Sequence, residues 1–426
     1  AGLDDALAAA KGGGTLLLAG GAYGSYRLSG YNPSATVTIA AADPADPPVF
    51  GNLTIDRSSD LTLAGLTLRI GDGGSYGAFN ADDMPRAMRI LDSRRIKVLG
   101  SLFVGAPEPP GSVHPARDFM HDRTVPVDFS GLGRGRGIDA VRSADIEVLG
   151  STFADLSIGT DFVNVRNARF VGNTYTGISV DSTDWGGIDG LLFSGNLIEN
   201  NRVPKGLKHT DLMQFRFSTS RDIVIRNNVL ISRWPDTHGI YLGGATFDNY
   251  RYSNVTIANN LLLASQLLAL SVQRADGLLI SGNKVVSNAA AGRKPAAILV
   301  EESSTGVQVT GNVANLIGAA DIRWRDRPVP GAWDMRGNQI AHGGASPAIG
   351  SRPATRTPPG RRSPCGRATS RSPVRRSSAM SARLRCASAT STVPGRSCDR
   401  SAPRGTARAW SGRRAGCTSP SSGRRT

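Results

Sequence analysis

Aromatic side chains are scarce in this chain, 6% of its 426 residues, and no cysteine occurs before Cys365. No segment approaches the ~18 consecutive apolar residues of a membrane-spanning helix. Without cysteine, the first 350 residues can hold neither a disulfide framework nor a thiolate metal site. They also lack an excess of charge of either sign. The whole chain carries a formal charge of +16, the mark of a nucleic-acid binder, but the charge is unevenly placed. From Ser351 to Thr426 there are 18 arginines, no lysine and a single acid, Asp399. The other 32 basic and 33 acidic residues of the 50 and 34 in the chain balance in the body, which gives no electrostatic reason to expect DNA or RNA.

What the sequence does have is glycine, 51 residues of it, together with many asparagines set at intervals. Gly172-Asn173, Gly195-Asn196, Asn227-Asn228, Asn259-Asn260, Gly282-Asn283, Gly311-Asn312 and Gly337-Asn338 each end a short β-like run and precede apolar residues. Gly100-Ser101 and Gly150-Ser151 occupy the same place earlier. Around them the text reads alike: DIEVLGSTF, ARFVGNTY, GLLFSGNLI, DIVIRNNVL, NVTIANNLL. Alternation of period two marks strands with one buried face, and Gly and Asn tolerate the left-handed dihedrals of a tight bend. About 22 residues per turn, with three short strands and three bends, predict an all-β solenoid, a right-handed parallel β-helix over residues 1–350. Residues 50 to 340 are expected to be continuous parallel strands without a long helix. Spacings of 29 and 32 imply loops inserted at one corner. The Asn column is expected to be an internal ladder, because buried bends need partners for their backbone groups.

At the N-terminus, LDDALAAAKGGG predicts a short helix that caps the first coil, since a bare coil end would invite edge-to-edge pairing. An insertion from Val104 to Arg136, with His114 and His121, is long enough to be a lid or wall, or else disordered. Residues 351–426, with all four cysteines, are a basic Arg/Ser/Pro-rich low-complexity tail expected to be disordered. A basic arm, a disulfide-stapled module and a shifted reading frame of a GC-rich gene all remain open for it. Arginine without lysine favours the last. The chain opens at Ala1 without methionine, compatible with removal of a secretion signal.

The opening helix with GGTLLLA and GAY, and the run HTDLMQF at His209–Phe215 followed by SRDIVIRNNVL, resemble the pectin-lyase-like right-handed β-helix proteins of bacteria. Within them they resemble a subgroup with an H-x-D-x-x-Q-F signature. That resemblance spans roughly residues 1 to 345 and implies a secreted, carbohydrate-active protein, extracellular or periplasmic, and a monomer. The class includes lyases, epimerases and hydrolases, so the resemblance is specific for fold rather than reaction. The chain lacks the glycine-rich calcium nonapeptides that often follow in this subgroup.

In such folds substrate lies in a groove along one sheet. Taking Ile178/Val180, Met213/Phe215, Ile240/Leu242, Leu270/Val272 and Ile298/Val300 as inward pairs places Ser179 and Asp181, Gln214 and Arg216, Tyr241 and Gly243, Ser271 and Gln273, Leu299 and Glu301 outward. Asp211 and His238 fall at equivalent positions one coil apart, and strands ~4.8 Å apart would let them touch. Two of the five histidines thus converge on a patch of Asp181, His209, Asp211, Gln214, Arg216, His238 and Tyr241. Uronate β-elimination needs a cation for the sugar carboxylate, a base for the C5 proton and an acid for the leaving oxygen. Arg216 and Gln214 are candidates for the first, His209 or His238 for the second, and Tyr241 for the third. Asp181 and Gln273 are further candidate substrate contacts, and Asp181, Asp184 and Asp211 are candidates to hold Ca2+. An acidic polysaccharide is the expected partner. An epimerase would use nearly the same groups. A hydrolase with Asp181 and Asp211 as paired carboxylates, or a non-catalytic glycan-binding surface protein, are the competing readings.

Overall fold

The computed structural model describes residues 2–71, 84–118, 123–207, 209–216, 218–234, 237–243, 249–264, 266–288 and 295–341. The tail, with the disorder expected of it, lies outside the described residues, as do His121 and His342. Each coil is built from three strands. In one they are Arg136–Val141, Ala144–Leu149 and Thr152–Ala154, and in the next Ile158–Val163, Arg166–Val171 and Thr174–Thr176. Every one of these pairs in parallel with its counterpart one coil away. The middle strands form an 11-stranded parallel sheet from Gly14–Leu18 to Thr305–Thr310.

Three departures from uniform parallel pairing occur among the described residues after residue 50, the first where Ala106–Pro107 pairs antiparallel with Gly133–Arg134. Val113–Asp118 and Arg123–Asp128 form an antiparallel hairpin within the insertion. Near the end, Leu316–Ala320 pairs antiparallel with Asp326–Arg327. The only helical segments among the described residues are Leu3–Ala9 and the single turn Ala10–Gly12. Leu7 of that helix is buried on the first coils, and its carbonyl accepts a hydrogen bond from the Tyr31 hydroxyl at 2.9 Å, as expected of a cap.

The bends follow from residue chemistry. Gly172 and Gly195 have φ of 68° and 66°, and Asn227 and Asn259 have 56° and 54°, so the residue before each ladder asparagine sits in the left-handed region. The asparagines then stack inside. Asn196 Nδ2 donates to Asn228 Oδ1 at 3.1 Å, Asn228 to Asn260 at 2.9 Å and Asn260 to Asn283 at 2.9 Å. Inward positions hold aliphatic residues and a few stacked rings: Phe103, Phe153 and Tyr175 lie face to face with centroids 4.7 Å apart at each step. A single coil could not bury these faces; stacking buries them at about 1.5–3 kcal/mol for each large side chain.

One alignment is corrected. Trp185 pairs with Phe162 on one side and Phe215 on the other, and Asp184 with Gln214. The inward pair of that coil is therefore Thr183 and Trp185, whereas Ile178 to Val180 form the preceding bend. Ser179 is not an outward groove residue: it is fully buried and donates to the Gly133 carbonyl at 3.1 Å. Its apolar neighbours Ile178 and Val180 imitate a strand in sequence, but Trp185 fills the interior position that the neighbouring phenylalanines require.

Candidate functional site

The register of the first strand of each coil decides which side chains share the groove. Asp139, Asp161, Asp184, Gln214, Tyr241 and Ser271 succeed one another at one outward position. At the strand starts, Thr210 faces Thr237 and Asp211 faces His238. The hydroxyls of those threonines lie 2.9 Å apart and pin the two strand entrances together.

Asp211 is the centre. Its Oδ1 lies 3.0 Å from His238 Nδ1 and its Oδ2 lies 3.0 Å from His209 Nδ1, so one carboxylate holds two imidazoles. The two rings meet edge to face at 4.7 Å, and Tyr241 lies 5.3 Å from His238 and 5.8 Å from His209 between ring centroids. The backbone N–H of Asp211 donates to Asp181 Oδ1 at 2.7 Å, which fixes the carboxylate from below. Asp211, Asp181 and His238 are buried, while His209 is about 40% exposed in its side chain and faces the groove.

Next to this triad lies a row of alternating charges, of which Arg216 and Asp184 were expected from sequence and Asp139, Asp161, Arg136 and Arg86 were not. Arg216 Nη2 lies 2.7 Å from Asp161 Oδ1 and 3.4 Å from Asp184 Oδ2. Arg136 reaches Asp161 at 2.5 Å, and Arg86 and Arg89 converge on Asp139. Arg216 keeps about a quarter of its side chain exposed, whereas Asp161 and Asp184 are buried. Gln214 is half-buried between Asp184 and Tyr241. Gln273 is two coils further on and committed elsewhere: it accepts from the Tyr250 hydroxyl at 2.6 Å and donates to the Ile322 carbonyl at 3.0 Å. Trp324, also unforeseen, lies 6.0 Å from Tyr241 between ring centroids. The insertion is tied to a later segment at its hairpin, where the Asp128 N–H donates to the Lys205 carbonyl at 3.0 Å. His114 stays inside that hairpin, buried 5.7 Å from the Phe129 ring and away from the triad.

Electrostatics divides the protonation states. Burial alone would lower the His209 imidazole, but the Asp211 charge and hydrogen bond, with Asp181 and Asp184 behind, raise it to about 9. Burial pushes Asp211 up, and the two histidines overcome it, holding this carboxyl far below the usual range. Asp181 goes the other way: burial and the neighbouring Asp184 and Asp211 charges push it well up. Burial lifts Asp184 to about 7 against the pull of Arg216. Burial, followed by the Asp211 charge, raises the Tyr241 hydroxyl, which keeps its proton. At neutral pH the site therefore contains an anion, Asp211, an imidazolium, His209, and a neutral phenol.

His209, Asp211 and His238 bring one ligand atom each within 4.8 Å of one another, a set suited to an imidazole-seeking metal rather than to Ca2+. The trio Asp181, Asp184 and Asp211 fits Ca2+ poorly. Asp181 accepts the Asp211 N–H, Asp184 stands beside the Arg216 guanidinium, and Asp211 is spent on two histidines.

A family model described as a right-handed beta helix region matches residues 134–314. No curated protein matches the sequence. Among solved structures the chain is similar to PfbA, a surface adhesin of Streptococcus pneumoniae, at 12% identity and a TM-score of 0.42, covering 79% of this chain and 87% of that one. It is similar to the Dettilon tailspike protein at 11% and 0.46, covering 79% and 62%. It is also similar to the A-module of the Azotobacter vinelandii mannuronan C-5 epimerase AlgE6, at 14% and 0.40, covering 79% and 87%.

Proposed function

We propose that this right-handed β-helix acts on uronate-containing acidic polysaccharide by removing the C5 proton, as a lyase or an epimerase. The observation that carries the reading is a single buried carboxylate, Asp211, orienting two histidines beside a protonated tyrosine. Nothing in a β-helix coil needs such a buried set for packing. His238 donates through Nδ1 to Asp211, which leaves the lone pair on Nε2 and makes this ring the base. His209, held cationic, and Arg216 neutralise the sugar carboxylate and so stabilise the carbanion that forms when C5–H breaks. In a lyase, Tyr241 passes its proton to the leaving oxygen as the C4–O bond breaks and a C4=C5 double bond forms. In an epimerase His238 keeps the proton taken from C5, and Tyr241 delivers its own proton to C5 on the opposite face. The pectin-lyase-like resemblance supports this reading, and with such a polymer substrate goes an extracellular or periplasmic location. No helix among the described residues is long and apolar enough to cross a membrane.

Incubation with polygalacturonate, alginate and glycosaminoglycans tests this reading. A lyase generates the ultraviolet absorbance of the new double bond, and an epimerase alters the anomeric proton spectrum without it. New reducing ends without the double bond would indicate a hydrolase, and binding without turnover a lectin-like protein.

The pH dependence follows from His209. Its folded pKa is raised to about 9, so its cation persists below that pH and is lost above it. The kcat/KM profile is therefore expected to keep an alkaline limb near pH 9, and the His209→Gln variant to lack it. For stability the sign is the same. This favourable pairing is complete below the unfolded imidazole value of about 6.5 and disappears as pH rises towards 9. An alkaline limb that survives His209→Gln assigns it to another group.

A further inference from the structure

Trp324 has φ of +60°, a left-handed conformation that bulky L side chains avoid. It is half-buried and persists there because the turn around it is over-determined. Asp321 Oδ1 accepts the N–H groups of Arg323 and Arg325 at 2.9 Å each, and its Oδ2 accepts Arg325 Nε at 2.6 Å. The Trp324 N–H donates to the Asp321 carbonyl, and the Asp321 N–H to the Arg325 carbonyl, both at 2.8 Å. From two coils earlier Gln273 holds the Ile322 carbonyl, and the Tyr250 hydroxyl holds Gln273 in turn. The polar network that removes Gln273 from the groove thus anchors the turn that presents the indole.

Strain of this kind, maintained by so many bonds, concentrates at ligand clamps. The indole adjoins Tyr241, 6.0 Å away between ring centroids, and its turn follows Leu316–Ala320, a strand four coils beyond that of Asp211. Resting on the reading of the site as uronate-active, we propose that Trp324 is a sugar-stacking subsite. The apolar face of a pyranose ring packs on the indole and sets the substrate residue next to the Tyr241 hydroxyl. An indole suits this because it offers a broad apolar face with a polar N–H at its edge. The ligand class is an oligouronate long enough to reach from Arg216 past Tyr241 to Trp324.

Oligogalacturonates and oligoalginates of defined length test this, with calorimetric affinity and KM and kcat as readouts on the full chain. Trp324→Ala is expected to weaken binding and raise KM about ten-fold, a magnitude in the range of one aromatic contact, with kcat changed less than three-fold. Trp324→Phe should retain most of the affinity. Should Trp324→Ala fail to fold, Trp324→Gly, which accepts the positive φ without strain, carries the same expectation. Oligouronate binding unchanged in Trp324→Ala or Trp324→Gly overturns the subsite, as does a fall in kcat at constant KM, which would make the indole a positioning residue for Tyr241. Absence of turnover with Trp324-dependent binding overturns the reaction proposed above and leaves the subsite standing. Turnover with Trp324-independent binding does the reverse.

Discussion

His238→Gln is expected to lower kcat/KM on a polyuronate by about 10²–10⁴, the usual contribution of a positioned general base, with the fold intact. Glutamine is the informative replacement because its amide can still donate to Asp211, so the buried carboxylate keeps a partner. Alanine would leave Asp211 Oδ1 without its imidazole partner and mix lost chemistry with an unsatisfied buried oxygen. Asp211→Asn should lower turnover comparably by a different route. A neutral amide no longer favours the His238 tautomer with its lone pair on Nε2, and it removes the charge that holds His209 cationic. Initial rates followed through the double bond or the anomeric protons, with thermal melting as the folding control, decide it. His238→Gln turning over within three-fold of the unaltered protein would remove His238 from the role of base.

The solenoid was legible because its signal is repeated. Each Gly-Asn or Asn-Asn step reports a left-handed residue followed by an inward amide, and seven of them leave little freedom for another fold. The Asp211–His238 contact was legible too, since both follow a threonine and precede an inward pair by the same distance. Asp139 and Asp161, which continue the row from Asp184, were missed for a physical reason. Aspartates in a strand usually face water, and nothing local indicates that Arg136 and Arg216 come from neighbouring coils to bury them. A signal did exist: each of the three aspartates of the row stands 11 residues before the glycine of its own bend, Gly150, Gly172 and Gly195. Aligning coils from that glycine rather than from the apolar pair Ile178/Val180 would also have avoided the misplaced strand. Trp324 could not be read at all, because its position depends on a turn closed by Asp321 and on Gln273 from another coil.

Asn228→Ala is expected to destabilise the chain by about 3–5 kcal/mol, although it removes no more than a small polar side chain from a corner. Asn228 Oδ1 accepts both the backbone N–H of Asn196 at 2.8 Å and its Nδ2 at 3.1 Å. Its own Nδ2 donates to the Phe193 carbonyl at 3.0 Å and to Asn260 Oδ1 at 2.9 Å. Alanine leaves the Asn196 N–H and the Phe193 carbonyl without these partners in a place closed to water, and each unmade buried bond costs about 1–3 kcal/mol. Burial rather than residue type makes the difference. Asn167 is another asparagine, at φ of 55°, and its amide bonds Asp145 at 2.8 Å on the exposed side. Asn167→Gly keeps the left-handed bend without strain and should stay within about 0.5 kcal/mol. Because a solenoid can open at one coil while its neighbours hold, hydrogen exchange of the Asn196 and Asn228 amides should accompany denaturant unfolding. If Asn228→Ala costs under about 1 kcal/mol, with the Asn196 amide as protected as before, the corner is satisfied by water and the ladder is not what holds the coils in register.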